Sequence, residues 1–204
     1  MNEIRLPHLG KTVALPPGQT ARELSLAWLL AAEGPGGDSR DPGGPTNYGW
    51  TLSTLLTLEP ALADLNGDGA VNAADLTAMT AAQAASLYTA RFWEPLGLTN
   101  LAPRLACALL DASVNLGPSR AVRLAQEAYN ALPGTVKLAV DGRLGPVTRA
   151  ALSAAPPGLE EGLRRLRADY YGRLAAASAA HARYLKGWLN RLADLDVFLD
   201  AAFG

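Results

Sequence analysis

Two short stretches concentrate the side chains that could do chemistry. In AAEGPGGDSRDPGGPTNYG, Glu33 closes a run of helix-forming residues, and a glycine-rich connection then carries Asp38, Asp41, Thr46, Asn47 and Tyr48. A carboxylate in the last turn of a helix faces the negative end of the helix dipole, where cations are favoured. Local rules broken in this way concentrate at functional positions. The dipole and the adjoining Leu29 and Leu30 are expected to favour the neutral form of Glu33, as a general acid requires. Asp41, ionised in a polar loop, and the Thr46 hydroxyl, orienting a water, would complete a two-carboxylate arrangement of the kind that splits glycosidic bonds. Asp38 competes with Asp41 for the second carboxylate. The plainer reading of the same residues is a surface glutamate followed by Asp-Pro-Gly-Gly turn chemistry.

The second stretch, DLNGDGAVNAAD, fits the twelve-residue pattern of an EF-hand loop with Asp at the last position. Asp64, Asn66 and Asp68 would supply side-chain oxygens, Gly69 the sharp turn and Ala70 a backbone carbonyl. Asn72 and Asp75 would complete the shell of a Ca²⁺ ion. Carboxylates spaced this closely repel one another without a cation. The expected role is structural, rigidifying the wall beside the first stretch.

These loops need elements to hold them, and the helical signals dominate. Thr20 with Glu23 forms a capping box ahead of a helix over about 21–33, and Thr80 with Gln83 opens another through AAQAASLYTARFW. Pro103, Pro118 and Pro146 each sit at a first helical position. Gly117 separates the first two of these helices, and two longer Ala-, Leu- and Arg-rich helices are expected over about 158–182 and 184–200. Sustained period-two alternation is absent, although TVKLAV and the N-terminal arm could form brief extended segments. The expected fold is all-α: a compact helical body with the EF-hand-type loop inserted. Its expected parts are an N-terminal arm over 1–20, a first region over 21–118 and a second helical region over 119–204 packed on the first.

Composition sets the outer limits. The chain has 204 residues, 49% hydrophobic and 18% charged, with a formal net charge of -1, which describes a folded chain with a sizeable core. The lone Cys107 and the pair His8 and His181 exclude a disulfide framework and a Cys- or His-based transition-metal site. Cys107 reads as a small buried hydrophobe. The start lacks the apolar core of a signal peptide and no stretch is long enough to span a membrane, so synthesis in a cytoplasm without membrane insertion is expected. Residues 1–100 carry 5 basic and 10 acidic side chains and residues 101–204 carry 13 and 9, so the second half is mildly basic. No basic run interleaved with aromatics marks a nucleic-acid interface.

The motifs resemble those of the glycoside hydrolase family 108 lysozymes, found among phage endolysins and bacterial wall-lytic proteins. The resemblance is carried by Glu33-Gly34-Pro35-Gly36-Gly37 and by Asp41-Pro42-Gly43-Gly44-Pro45-Thr46-Asn47-Tyr48-Gly49, and continues through Tyr88 to Trp93 and through Asp111, Asn115, Gly117 and Pro118. Pro35 departs from the family pattern. AVRLAQEAYNAL followed by VDGRLGPVTRAAL resembles the peptidoglycan-binding segment that accompanies that family, with Val140, Asp141, Gly142, Gly145, Pro146 and Thr148 as the matching core.

The resemblance implies a lysozyme-like fold and a monomeric endolysin-type hydrolase. It would cut the β-1,4 bond between N-acetylmuramic acid and N-acetylglucosamine after holin-type or other release from the cell, an antimicrobial activity. Glu33 would be the catalytic acid, with Asp41 and Thr46 assisting. Asn47, Tyr48, Trp93, Asp111 and Asn115 are candidates for substrate contact. Trp93, Tyr88 and Phe92, at helical spacing, read more readily as core than as a sugar-stacking platform, and Asp111 with Asn115 reads equally as a buried pair that fixes the site floor. The alternatives are a lytic transglycosylase, with Glu33 acting alone, and a non-catalytic wall-binding module that docks through its dockerin-like loop.

Overall fold

The first helix begins at its cap. The Thr20 hydroxyl accepts the Glu23 N–H, and the Glu23 carboxylate returns to the Thr20 N–H at 2.7 Å, so α1 runs over Ala21–Glu33 as the pattern predicts. The computed structural model describes residues 2–36 and 45–204. Ahead of α1, β1 (Asn2–Leu6) pairs antiparallel with β2 (Lys11–Leu15), so the arm is a hairpin. Asp194, fully buried, accepts the His8 and Leu9 N–H groups at 3.1 and 2.6 Å and ties that hairpin to the far end of the chain.

After the first stretch of interest, β3 (Thr46–Asn47) and β4 (Trp50–Thr51) form a minimal antiparallel pair. Its two-residue turn places Tyr48 and Gly49 at φ +47° and +77°, the doubly positive geometry that suits a tight hairpin. Short helices follow: α2 (Leu52–Leu55), α3 (Pro60–Ala63), α4 (Ala73–Ala78) and α5 (Ala81–Tyr88). α5 opens with the expected Thr80–Gln83 box but runs into a π-helical turn, Thr89–Trp93, before α6 (Glu94–Leu96). Pro95 explains the wide turn, because its ring would press on the Arg91 carbonyl and it has no N–H to donate there.

The three proline starts give α7 (Pro103–Leu116), α8 (Pro118–Ala131) and α9 (Pro146–Ser153). α10 (Leu159–Ala177), α11 (Ala179–Ala182) and α12 (Leu185–Phe203) complete the chain. TVKLAV forms no strand: Asn130 holds it as irregular backbone, donating to the Leu138 carbonyl and accepting its N–H. The fold is mainly α, in keeping with a lysozyme-like body.

α7 is the axis of the molecule. Every residue from Leu105 to Ser113 is buried, the pattern of a helix enclosed on all sides. α1, α8, α10 and α12 all pack on it, so the two halves of the sequence share one core. Cys107 lies inside that core as a free thiol. Among the described residues, no helix is long and apolar enough to cross a membrane.

Candidate active site

Glu33 ends α1 without a cation in its own last turn. The positive charge the dipole calls for arrives from elsewhere: Lys11 on β2 donates to the Ala31 carbonyl at 2.5 Å. Arg191 on α12 places Nη2 2.7 Å from Glu33 Oε1. The surroundings of the carboxylate thus differ from the apolar wall expected of Leu29 and Leu30. Leu29 is wholly buried, and the carboxylate, with its side chain 19% exposed, meets a guanidinium.

That guanidinium serves two acids. Arg191 Nη2 and Nε lie 2.7 and 2.9 Å from Asp111 Oδ1, and Trp28 Nε1 donates to the same oxygen at 3.0 Å. Arg167 on α10 holds the other oxygen, Oδ2, at 2.5 Å and donates through Nε to Tyr171 Oη, which donates in turn to Asn115. Two carboxylates and two guanidiniums therefore balance in charge beneath the end of α1. Burial alone would push the Asp111 carboxyl up, but Arg191 and Arg167 outweigh it and hold the group well below the usual carboxylate range.

On its other side Glu33 abuts the β3–β4 turn. A Cβ at Gly49 would lie 2.7 Å from Glu33 Oε2 and 2.6 Å from Tyr88 Oη, so only glycine fits there. Tyr88 donates to the Tyr48 carbonyl at 2.6 Å. Burial, reinforced by the charge of Glu33, pushes its phenol pKa up and keeps it a donor. Gly49 and Tyr88 are also walls of a cavity of about 340 Å³, shared with Trp50, Thr54, Arg91, Phe92, Ser113, Val114, Gly117 and Pro118. The Trp50 ring packs on Tyr88 at 4.9 Å, and its buried Nε1 has no partner among the described residues. A carboxyl group beside a cleft of this size is the arrangement that acid-assisted cleavage of a sugar chain needs.

Residues 26–117 match the model of the family Glycosyl hydrolase 108, and residues 120–193 match that of the Predicted Peptidoglycan domain. The chain is a peptidoglycan hydrolase. SagA of Brucella abortus has a similar structure, with a TM-score of 0.65 at 24% identity over 90% of this chain and 96% of that one. That likeness concerns the fold. No curated protein matches the chain.

The sequence-expected site residues of the hydrolase divide by where they lie. Asp38 and Asp41 are outside the described residues. Thr46, half-buried, opens the hairpin whose turn carries Tyr48 and Gly49 against Glu33. The Asn47 amide is used internally, accepting from Gly36 N–H at 3.1 Å and donating to the Leu76 and Met79 carbonyls at 3.0 and 3.2 Å. Trp93 is only 1% exposed and donates to Thr99, so it is core and offers no face to a sugar. Asp111 is wholly buried, and Asn115 joins it through Tyr171 and Arg167. Arg191 and Arg167 were missed by sequence reasoning. Their signal is an arginine on a buried helical stripe, Arg167 four residues from both Leu163 and Tyr171, and Arg191 four before Leu195.

In the second stretch Asp64 accepts the N–H groups of Gly67, Asp68 and Gly69, and Asp68 accepts that of Ala70. Asp75 is wholly buried and accepts from Leu65, Asn66 and Asn72, which closes the loop as a capping box on α4. The Asn72 N–H bond leads in holding its carboxyl below the ordinary value, against the effect of burial. Among the described residues, no three His, Cys, Asp or Glu side chains converge as a metal cage.

The peptidoglycan-domain motif is folded around Gln126. Its Nε2 donates to Asp141 at 2.8 Å, to the Arg143 carbonyl at 3.2 Å and to Thr148 at 3.3 Å, while its Oε1 accepts from Gly142 N–H at 2.9 Å.

Proposed function

We propose that the hydrolase is an N-acetylmuramidase in which Glu33 is the general acid. It would protonate the glycosidic oxygen between N-acetylmuramic acid and N-acetylglucosamine as the C1–O bond breaks, leaving positive charge on the muramic-acid ring. Water would then add at C1 and return a proton. The observation that carries this reading is the Glu33 carboxylate set against the Gly49–Tyr88 wall of a cleft. Thr46 and Tyr48, on the hairpin that forms this wall, are proposed to meet substrate or the attacking water, with Asp41 as the assisting carboxylate. The peptide-bearing polymer is proposed to lie across the cleft toward the second region.

The test is mass spectrometry of fragments released from purified peptidoglycan, with borohydride reduction and Glu33→Gln as control. Reducible muramic-acid ends, falling at least about 100-fold in the variant, are expected. Anhydro-muramyl ends would instead make the enzyme a transglycosylase, in which the sugar's own hydroxyl replaces water. Wall binding without release of fragments would indicate the binding module.

We also propose a structural Ca²⁺ held by Asp64, Asn66, Asp68, Ala70, Asn72 and Asp75. The donor set, all oxygen, suits a hard cation. The fit is uneven: Asn66, Asp68 and Ala70 are exposed and Asp64 is half-buried, whereas Asp75 is wholly buried, and both oxygens of Asp64 and of Asp75 already accept backbone N–H groups. Calcium at about 100 times its dissociation constant would stabilise the fold by about 2.7 kcal/mol, or roughly 5 °C or more in Tm. A melting temperature indifferent to calcium and to EDTA would remove the ion from the account.

A further inference from the structure

We infer that Arg191 is the positioning residue of the catalytic carboxylate, and that α12 is part of the catalytic site although Arg191 lies in the segment matched by the peptidoglycan domain. The inference rests on the reading of Glu33 as the acid. It begins from a closed circuit of contacts. Glu33 on α1 meets Arg191 on α12, Arg191 meets Asp111 on α7, and Asp111 accepts from Trp28, which is again on α1. Three helices are therefore locked in register by one guanidinium and one buried carboxylate.

Within that circuit the freedom is unevenly shared. Asp111 is fixed by Arg167 and Trp28 as well as by Arg191, and none of these side chains is more than slightly exposed. Arg191 spends Nε and Nη2 on Asp111, so its planar head cannot swing. Glu33, at the end of its helix, is held by this group of side chains through Oε1 alone. Arg191 is thus the fixed point that aims Glu33 at the Gly49–Tyr88 wall of the cleft. Burial works against the charge of Arg191, but Asp111 and Glu33 together overcome this and keep it a cation.

The groups facing Glu33 are Arg191 from α12, Tyr88 from α5 and, through the shared guanidinium, Asp111 from α7; Lys11 from β2 sits at the neighbouring Gly34. Removing Arg191 takes away a cation that interacts more strongly with the ionised than with the neutral form of its partner. A purely structural arginine would alter melting temperature alone. A positioning arginine also moves turnover and its pH dependence.

The experiment compares the full chain with Glu33→Gln, Arg191→Lys and Arg191→Gln on a soluble tetrasaccharide of alternating N-acetylglucosamine and N-acetylmuramic acid. Melting temperature and pull-down on insoluble peptidoglycan are followed alongside. Arg191→Lys keeps the charge that balances Asp111 but loses the fork, and kcat is expected to fall about tenfold or more with KM changed less than about twofold. Arg191→Gln is expected to displace the alkaline limb of the kcat profile from its wild-type position. In the wild-type protein the Arg191 side-chain N–H resonance is expected to titrate with that limb and to stop doing so in Glu33→Gln, a readout that needs no Arg191 variant to fold. Wild-type kcat and pH profile in folded Arg191 variants, or an unresponsive resonance, would overturn the inference while Glu33→Gln remains inactive. An active Glu33→Gln would instead overturn the reading of Glu33.

Discussion

Replacing Asp111 by Asn keeps the size of the side chain and removes the charge between Arg167 and Arg191. Both guanidiniums would stay in place with half their compensation gone, and breaking a buried pair in this way costs about 3–5 kcal/mol. The pH dependence has a definite sign. The Asp111 carboxyl is held below its unfolded value in the native protein, so its contribution is complete above the unfolded pKa of about 3.9 and is lost as pH falls through the lower native value. The stability gap between wild type and Asp111→Asn is therefore expected to be constant from neutral pH down to about 4 and to close only in stronger acid. Denaturant titrations at a series of pH values check this; a gap that closes near pH 6 would place the charge balance elsewhere.

At the level of elements, the loop over 138–145 and its junction with α9 depend on one buried amide. Gln126→Ala would strand Gly142 N–H and Asp141 and free the segment that Gln126 now holds at four points. A loss of about 1–3 kcal/mol is expected, with new tryptic cleavage at Lys137 or Arg143. Unchanged melting and proteolysis would show that α8 and α9 hold the loop without it. Gly142 marks the same packing: at φ +76°, a Cβ there would lie 2.8 Å from the Ser119 carbonyl oxygen. Elements of this kind differ in how far the sequence discloses them. Thr20, Thr80 and the three N1 prolines act through neighbours in the chain, so the helix starts were legible. The β3–β4 hairpin was not, because it contains four paired residues and turns through a non-glycine Tyr48 at positive φ, a cost met by tertiary contacts such as those with Tyr88, Leu76 and Met79. Glu33 was legible because it breaks the dipole rule locally. Its partner was not, because an arginine on a buried stripe signals burial without naming the acid it meets.

The whole molecule inverts the usual expectation of a catalytic unit with a separable wall-binding appendage. α7, which ends the segment matched to the hydrolase family, is enclosed by α8 and α10 from the next segment and by α12, which begins in it, and Arg167 and Arg191 neutralise Asp111 inside α7. Cutting between the two would expose the all-buried face of α7 and leave Asp111 without either cation. Helices that share a core and a charge balance melt together, since neither segment retains a core when the other unfolds. Scanning calorimetry of the full chain is therefore expected to show one transition with equal calorimetric and van't Hoff enthalpies. Asp111→Asn should lower that single transition without splitting it. Two resolved transitions, with hydrolysis of a soluble oligosaccharide surviving the first, would mean that the catalytic half folds and works alone. The contact between Arg191 and Glu33 would then be a feature of packing with no bearing on turnover.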